Sequence, residues 1–176
     1  MNKFPKVHLV MVSSLDGVIA KNSNEFIDWS SKEDKKYFST ITKEKGCLVM
    51  GSSTFKTIGR PLPDRLNVIL TSRPDEMSNK YGEHENLMFI SINSAKELLE
   101  LLSKKGFQEI VLGGGTKVNT MFAKENMIDY LHLSVEPVLV GSGMQIFDEE
   151  VRIDLSLVEN IRLNENTVLL KYSVIH

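Results

Sequence analysis

Apolar residues along this chain fall into short β-branched runs separated by segments of helical period, an alternation that builds a parallel sheet with helices crossing between its strands. The runs predict strands at residues 7–14, 46–50, 67–71, 87–90 and 109–112. Two later runs, 130–136 and 166–174, follow each other without a comparable helix between them, which predicts an antiparallel edge. Helix starts are marked by capping chemistry. Ser30 or Ser31 stands three residues before Glu33 or Asp34, and Ser94-Ala95-Lys96-Glu97 repeats the pattern. These helices are expected over residues 31–42 and 94–104. A third opens at Gly115-Thr116 and ends near Lys124, and a short one starts near Ser53. The polar stretch 74–86 and the turn 140–143 read as surface loops. No repeat or linker divides the chain, so residues 1–176 are expected to form a single three-layer α/β/α domain. Its central sheet should be mostly parallel, with an antiparallel C-terminal edge.

Composition narrows the classes of function. The chain's 176 residues, 41% hydrophobic, suffice for one substantial core. Its 21 basic and 23 acidic residues are interspersed and leave a formal net charge of −2, so no broad basic field for nucleic acid or an anionic membrane exists. Any phosphate site must be local. The single cysteine, Cys47, sits in an apolar run and reads as a small buried hydrophobe, which suits a reducing compartment. Nowhere do roughly 18 apolar residues run together, and the N-terminus lacks a signal-peptide pattern. A cytoplasmic protein is expected, with neither a membrane nor a nucleic-acid partner and no metal site.

Three strand ends carry anion-friendly chemistry. Gly113-Gly114-Gly115-Thr116 after Leu112 is a strand-to-helix turn without side chains, where backbone N–H groups and a positive helix end can approach a pyrophosphate. The same glycines could instead merely permit tight strand–helix packing, and the spacing is not that of a Rossmann fingerprint. Met50-Gly51-Ser52-Ser53-Thr54 forms a second glycine-and-hydroxyl turn. At the third, Leu70-Thr71-Ser72-Arg73, hydroxyls and a guanidinium suit a ribose phosphate, although Arg73 alone reads equally as a solvated loop charge. Ligands favour this edge of an open sheet. Asp34 is the unusual acid: with Phe38 and Ile41, at spacings of four and three, it occupies the apolar stripe of its helix, with Tyr37 beside it. A first-turn acid can also simply favour the helix dipole. Trp29, the lone tryptophan, anchors the helix entrance.

These residues carry a family resemblance. Asp28-Trp29 through Asp34 to Phe38 resembles the Pro-Trp-x-x-x-x-Asp-x-x-x-Phe segment of dihydrofolate reductases, with Asp28 in place of the proline, and the run from Val49 through Gly51, Thr54, Phe55, Ile58-Gly59-Arg60-Pro61-Leu62-Pro63 and Arg65 to Asn67 is similar to the same family, as is Leu112-Gly113-Gly114-Gly115. Ser14-Leu15-Asp16-Gly17 and Glu136-Pro137-Val138-Leu139-Val140-Gly141-Ser142-Gly143 with Phe147 resemble the reductase domain of riboflavin-biosynthesis proteins, which shares the fold. The likeness implies a dihydrofolate reductase-like fold and hydride transfer from NADPH to a small heterocyclic substrate. Asp34 would anchor the heterocycle with Ser134 in support; Val12, Trp29, Phe38 and Ile58 would surround it, and Arg65 would meet a folate tail carboxylate. Ile19, Gly51, Ser52, Ser53, Thr54, Leu112, Gly113, Gly114, Gly115, Thr116 and Lys117 would line the cofactor, with Thr71, Ser72 and Arg73 at the 2′-phosphate. The loop 20–28, with Ile27 as its apolar residue, would close over the nicotinamide. Lys35 departs from the pattern, standing where an apolar residue usually packs on the folate benzoyl ring; Ser52 replaces a common basic residue, and Leu112 replaces the acid of the riboflavin type. Folate reduction, reduction of a phosphoribosylamino-pyrimidine and non-catalytic nucleotide binding remain alternatives. The riboflavin-type likeness implies a homodimer.

Overall fold

The computed structural model describes residues 4–22 and 27–176. The elements run in the order β1 (Lys6–Ser14), α1 (Lys32–Lys45), β2 (Cys47–Gly51), α2 (Ser52–Ile58), β3 (Leu66–Leu70), α3 (Pro74–Tyr81), β4 (Leu87–Ile90), α4 (Ala95–Lys104), β5 (Glu109–Leu112), α5 (Thr116–Lys124), β6 (Tyr130–Glu136), β7 (Leu155–Arg162) and β8 (Val168–Val174). One eight-stranded sheet has the order β4-β3-β2-β5-β1-β6-β8-β7. The pairs from β4 across to β6 are parallel. The last two strands are antiparallel.

The two faces of the sheet hold separate cores because alternate strand residues point to opposite sides. Val7, Leu9, Val49, Ile110 and Leu112 pack with Leu98, Leu102 and Phe122 of α4 and α5. Val10, Leu48, Met50, Ile69 and Val111 pack with Ile41, Phe55 and Met77 of the helices on the other face. The expected three layers and antiparallel edge are therefore present. Helix α1 runs to Lys45, and Gly46 ends it in the left-handed conformation with φ 72°, its N–H donating to the Thr42 and Lys43 carbonyls. The following strand consequently begins at Cys47 rather than at Gly46. Cys47 is fully buried, which pushes its thiol up to about 12.

Two elements differ from the sequence expectation. Residues 74–81, read as loop, form α3: Pro74 occupies the first turn, Asp75 and Glu76 favour the positive helix end, and Met77 is buried. Only two of its residues, Met77 and Tyr81, carry the apolar stripe, and Tyr81 meets Phe55 edge-on with ring centroids 4.9 Å apart. Strand β7 has no inward face to show a period of two, since all but one of its residues are exposed.

A polar network crosses the sheet beneath α1. Tyr37 Oη lies 2.6 Å from His132 Nδ1, His132 Nε2 lies 3.0 Å from His8 Nδ1, and His8 Nε2 lies 3.0 Å from Glu109 Oε1. Lys45 Nζ donates to the other Glu109 oxygen at 2.7 Å. The carboxylate sets the direction of the chain. It can only accept, so His8 Nε2 carries a proton, His8 Nδ1 accepts from His132 Nε2–H, and His132 Nδ1 accepts from the Tyr37 hydroxyl. Burial, with nearby positive groups adding, lowers the His132 imidazole to about 4, and burial lowers His8 as well.

Candidate active site

A cavity of about 650 Å3 opens at the C-terminal ends of β1, β2, β3 and β5. Asp34 lines it, 6% exposed, in the first turn of α1. Ser31 caps that helix, its Oγ accepting from the Asp34 N–H at 3.2 Å, while the Ser30 hydroxyl donates to Asp34 Oδ2 at 2.7 Å. Both serines of the capping pattern are thus engaged, one on the backbone and one on the carboxyl. Burial pushes the Asp34 carboxyl above its ordinary range; the Ser134 and Ser30 hydroxyls act against that, and the Glu136 carboxylate adds to it. Ser134 Oγ is buried close enough to act on Asp34, yet it completes no hydrogen bond of good geometry within the chain. Val12, Ile19, Phe38 and Ile58 supply apolar wall, together with Lys35.

Much of the remaining wall is the turn Gly51, Ser52, Ser53 and Thr54 and the turn Gly113, Gly114, Gly115, Thr116 and Lys117. The two turns are stitched together: Gly51 N–H donates to the Gly114 carbonyl at 2.8 Å, and Gly113 N–H to the Val49 carbonyl at 2.8 Å. A Cβ on Gly113 would lie 2.8 Å from Leu48 Cδ1, so a side chain there would force the buried Leu48 to shift. Helices α2 and α5 start at this point with Gly51 and Gly115 as caps, and neither has a side-chain cap or an acid in its first turn. In contrast, α1 and α4 carry serine caps and first-turn acids. Their free N–H groups and uncompensated dipoles make the starts of α2 and α5 suited to an anion.

Other expected site residues lie away from the cavity wall. Arg65 is 6% exposed, with Nε donating to the Pro63 carbonyl at 2.8 Å and Nη1 to the Ser39 carbonyl at 3.1 Å, as well as to Thr42 Oγ1. Trp29 faces a shallow polar cleft shared with Glu136, Asn164 and Thr167, its Nε1 buried without a partner. Leu112 is fully buried in the core, beneath the glycine turn. Thr71, Ser72 and Arg73 follow β3, whose Leu70 does reach the cavity; exposed Arg73 pairs with Glu76 at 3.3 Å. Of the expected closing loop, 20–22 and 27–28 are described, Ala20, Asn22 and Ile27 lining the cavity, while 23–26 lie outside the described residues. Among the described residues no group of three or more His, Cys, Asp or Glu is placed to hold a metal ion. No helix among them is long and apolar enough to cross a membrane.

Several residues at the site were not singled out from sequence. Met11, Val118 and Met144 line the cavity. Met144 is brought there by its bridge to Ala20, and Asp16 fixes the same loop by accepting from the Gly141 N–H at 2.7 Å and from the Ser14 hydroxyl at 2.6 Å. Glu136 is 2% exposed. A signal for it was present, since His132, Ser134 and Glu136 occupy every second position of β6 and all three face inward.

Solved structures share this fold. RibD from Acinetobacter baumannii superposes with a TM-score of 0.79 at 19% identity, covering 99% of this chain and 59% of that one. The dihydrofolate reductase of Enterococcus faecalis, complexed with NADP(H), gives 0.74 at 24% identity with 96% of each chain covered. In sequence, the dihydrofolate reductase of Bacillus subtilis (strain 168) is 31% identical over 114 residues, 65% of this chain and 60% of that protein. The class is that of oxidoreductases with the dihydrofolate reductase-like fold. Residues 5–169 match the RibD C-terminal domain, and the chain belongs to that family. It spans 59% of the length of the A. baumannii RibD chain.

Proposed function

We propose that the chain is an NADPH-dependent reductase of a small pteridine- or pyrimidine-type heterocycle, acting on a C=N bond or its carbonyl equivalent. The observation that carries this reading is one cavity whose wall combines a buried acid, Asp34, with two acid-free helix starts, 51–54 and 113–117. The glycine-lined wall fits a dinucleotide pyrophosphate, which the N–H groups of the α2 and α5 starts would hold, with Thr54 beside them and Ser72 and Arg73 available to a 2′-phosphate. When bound, the reduced nicotinamide supplies the hydride. The chain's residues do the rest. Asp34's raised proton affinity lets it hold the proton that the ring nitrogen takes up as carbon receives the hydride, and the carboxylate left behind accepts hydrogen bonds from the heterocycle's amino and ring N–H groups. Phe38, Val12, Ile19 and Ile58 orient the ring and exclude water, with Ser134 close behind the carboxyl.

Two substrates share this geometry. Asp34, Phe38 and Ile58 suit dihydrofolate. Lys35 on the cavity wall, and an Arg65 already engaged by main-chain carbonyls, favour a polar or phosphorylated tail such as that of 5-amino-6-(5-phosphoribosylamino)uracil. The test is NADPH oxidation, followed by loss of reduced-nicotinamide absorbance, with each substrate. Turnover of either supports the reading; tight NADPH binding with turnover of neither replaces it with a non-catalytic nucleotide-binding role. A cytoplasmic homodimer completes the proposal, with the exposed Leu155, Leu157 and Val158 of β7 as its contact; light scattering would give its mass.

A further inference from the structure

Glu136 is a second buried acid at the end of α1, and the reaction as written leaves it without a part. Its Oε1 accepts the Ser31 N–H at 2.8 Å, and its Oε2 accepts the Thr167 hydroxyl at 2.7 Å. One donor comes from the helix cap and the other from the turn before β8. The Ser31 N–H can only donate, so Glu136 Oε1 is held as an acceptor at the helix cap, and the Thr167 hydroxyl occupies Oε2. Asp34 is placed differently: its Oδ2 takes the Ser30 hydroxyl, and the side chain lines the cavity. Ser31 joins the two acids, with its N–H on Glu136 and its Oγ on the N–H of Asp34. Two neighbouring buried acids do not both ionise at low cost. Glu136 is engaged by the helix cap and does not line the cavity, so Asp34 is the member of the pair that can pass a proton into it.

We propose that Glu136 is a positioning residue for the reduction: a fixed anion behind Asp34 that strengthens its hold on a proton and pins the helix end that aims it. This rests on the reductase reading above. The other groups around the pair are few. Lys35, on α1, acts on Asp34 in the opposite sense. Glu33 of α1 and Glu165 of the turn before β8 line the outer cleft beside Glu136, and Glu33 is occupied by Asn164 Nδ2 at 3.1 Å. The Ser30 and Ser134 hydroxyls favour the ionised form of Asp34. Glu136 therefore acts in the direction of burial and against Lys35, Ser30 and Ser134.

The experiment is a carboxyl 13C NMR titration of Asp34 in the whole protein, its signal assigned by disappearance in D34N, for wild type, E136Q and E136D. Glutamine can keep both contacts without the charge, and aspartate keeps the charge with a shorter reach. The expected result is a severalfold rise in the acid dissociation constant of Asp34 in E136Q and a value close to wild type in E136D. In single-turnover reduction, the limb governed by Asp34 protonation should move to lower pH in E136Q, with a larger effect on kcat than on the heterocycle KM. A merely structural role would lower thermal stability in both variants and leave the Asp34 midpoint unmoved in both. That outcome, with turnover still lost in D34N, overturns the proposal and leaves the reductase reading standing. Full turnover in D34N removes the reading and the proposal together. Should E136Q not fold, the wild-type curves decide: matched steps in the Asp34 and Glu136 signals support the coupling, and independent single steps overturn it.

Discussion

The two ends of β6 treat buried polar groups in opposite ways. At its start, His132 is tied on both ring nitrogens, to Tyr37 and to His8, and the chain of donors ends on a carboxylate that also receives Lys45. Two residues on, Ser134 Oγ is buried with no completed hydrogen bond, beside a carboxyl that lines an open cavity. The same strand face and the same helix serve both, since Tyr37 and Asp34 stand three positions apart on α1. A closed network contributes stability and specifies how α1 sits on the sheet. An open one costs stability and leaves donors and acceptors for a ligand. The contrast is between polar groups that are finished and polar groups that await a partner.

Replacing Asp34 gives the sharpest test of the open end. D34N should lower kcat/KM for the heterocycle by about 100-fold, the scale of a lost proton-holding group, with NADPH affinity nearly intact in a binding titration. The same substitution should raise stability at neutral pH. Because the folded carboxyl titrates above its ordinary value, the folded chain holds more protons than the unfolded one in the interval above that value, so stability falls as pH rises through it and stays lower beyond. Asparagine removes that cost, and urea unfolding at neutral pH should show a gain of about 1 kcal/mol that vanishes in acid.

At the closed end the signs reverse. H132F should leave turnover at wild-type levels near neutral pH but destabilise by about 2 kcal/mol, because it strands the Tyr37 hydroxyl and His8 Nδ1 without their partner. Both histidines are lowered on folding, His132 to about 4, so the unfolded chain takes up protons first as pH falls below 6.5. Stability is therefore full above that point and declines down to about 4, and H132F should make the decline shallower in unfolding experiments run across that interval. A wild type with no acid decline would break the comparison.

Two smaller effects refine it. S134A removes an unfinished hydroxyl, so unfolding should change by less than about 0.5 kcal/mol while single-turnover reduction slows roughly 5-fold, the worth of one neutral hydrogen bond. R73A breaks an exposed ion pair of little energetic weight. It should raise the KM for NADPH severalfold and leave both thermal stability and the NADH rate unchanged.

Legibility followed sequence distance and periodicity. The parallel strands, the Ser31 and Ser94 caps and the glycine turns announce themselves within a few residues, because period, caps and tight turns are local physics. Helix α3 was hidden by its polarity, with Met77 and Tyr81 as its whole apolar stripe, and β7 by having no buried side. Asp34, placed on an apolar stripe, and the strand-end glycines do line one cavity. What stayed unread depends on pairing across the fold. His8 meets His132 from 124 positions away, and Ser31 meets Glu136 from 105. Arg65 has a side chain suited to a carboxylate, and nothing local states that main-chain carbonyls of residues 39 and 63 take two of its nitrogens.

The glycine-framed starts of α2 and α5 also decide which substitutions the proposed cofactor site tolerates. A grip made of main-chain amides persists whichever side chain hangs beside it, so drift at Ser52, Ser53 or Lys117 can retune selectivity without loosening the hold. Vulnerability is concentrated at the residues that have no side chain, where one added methyl on Gly113 runs into Leu48.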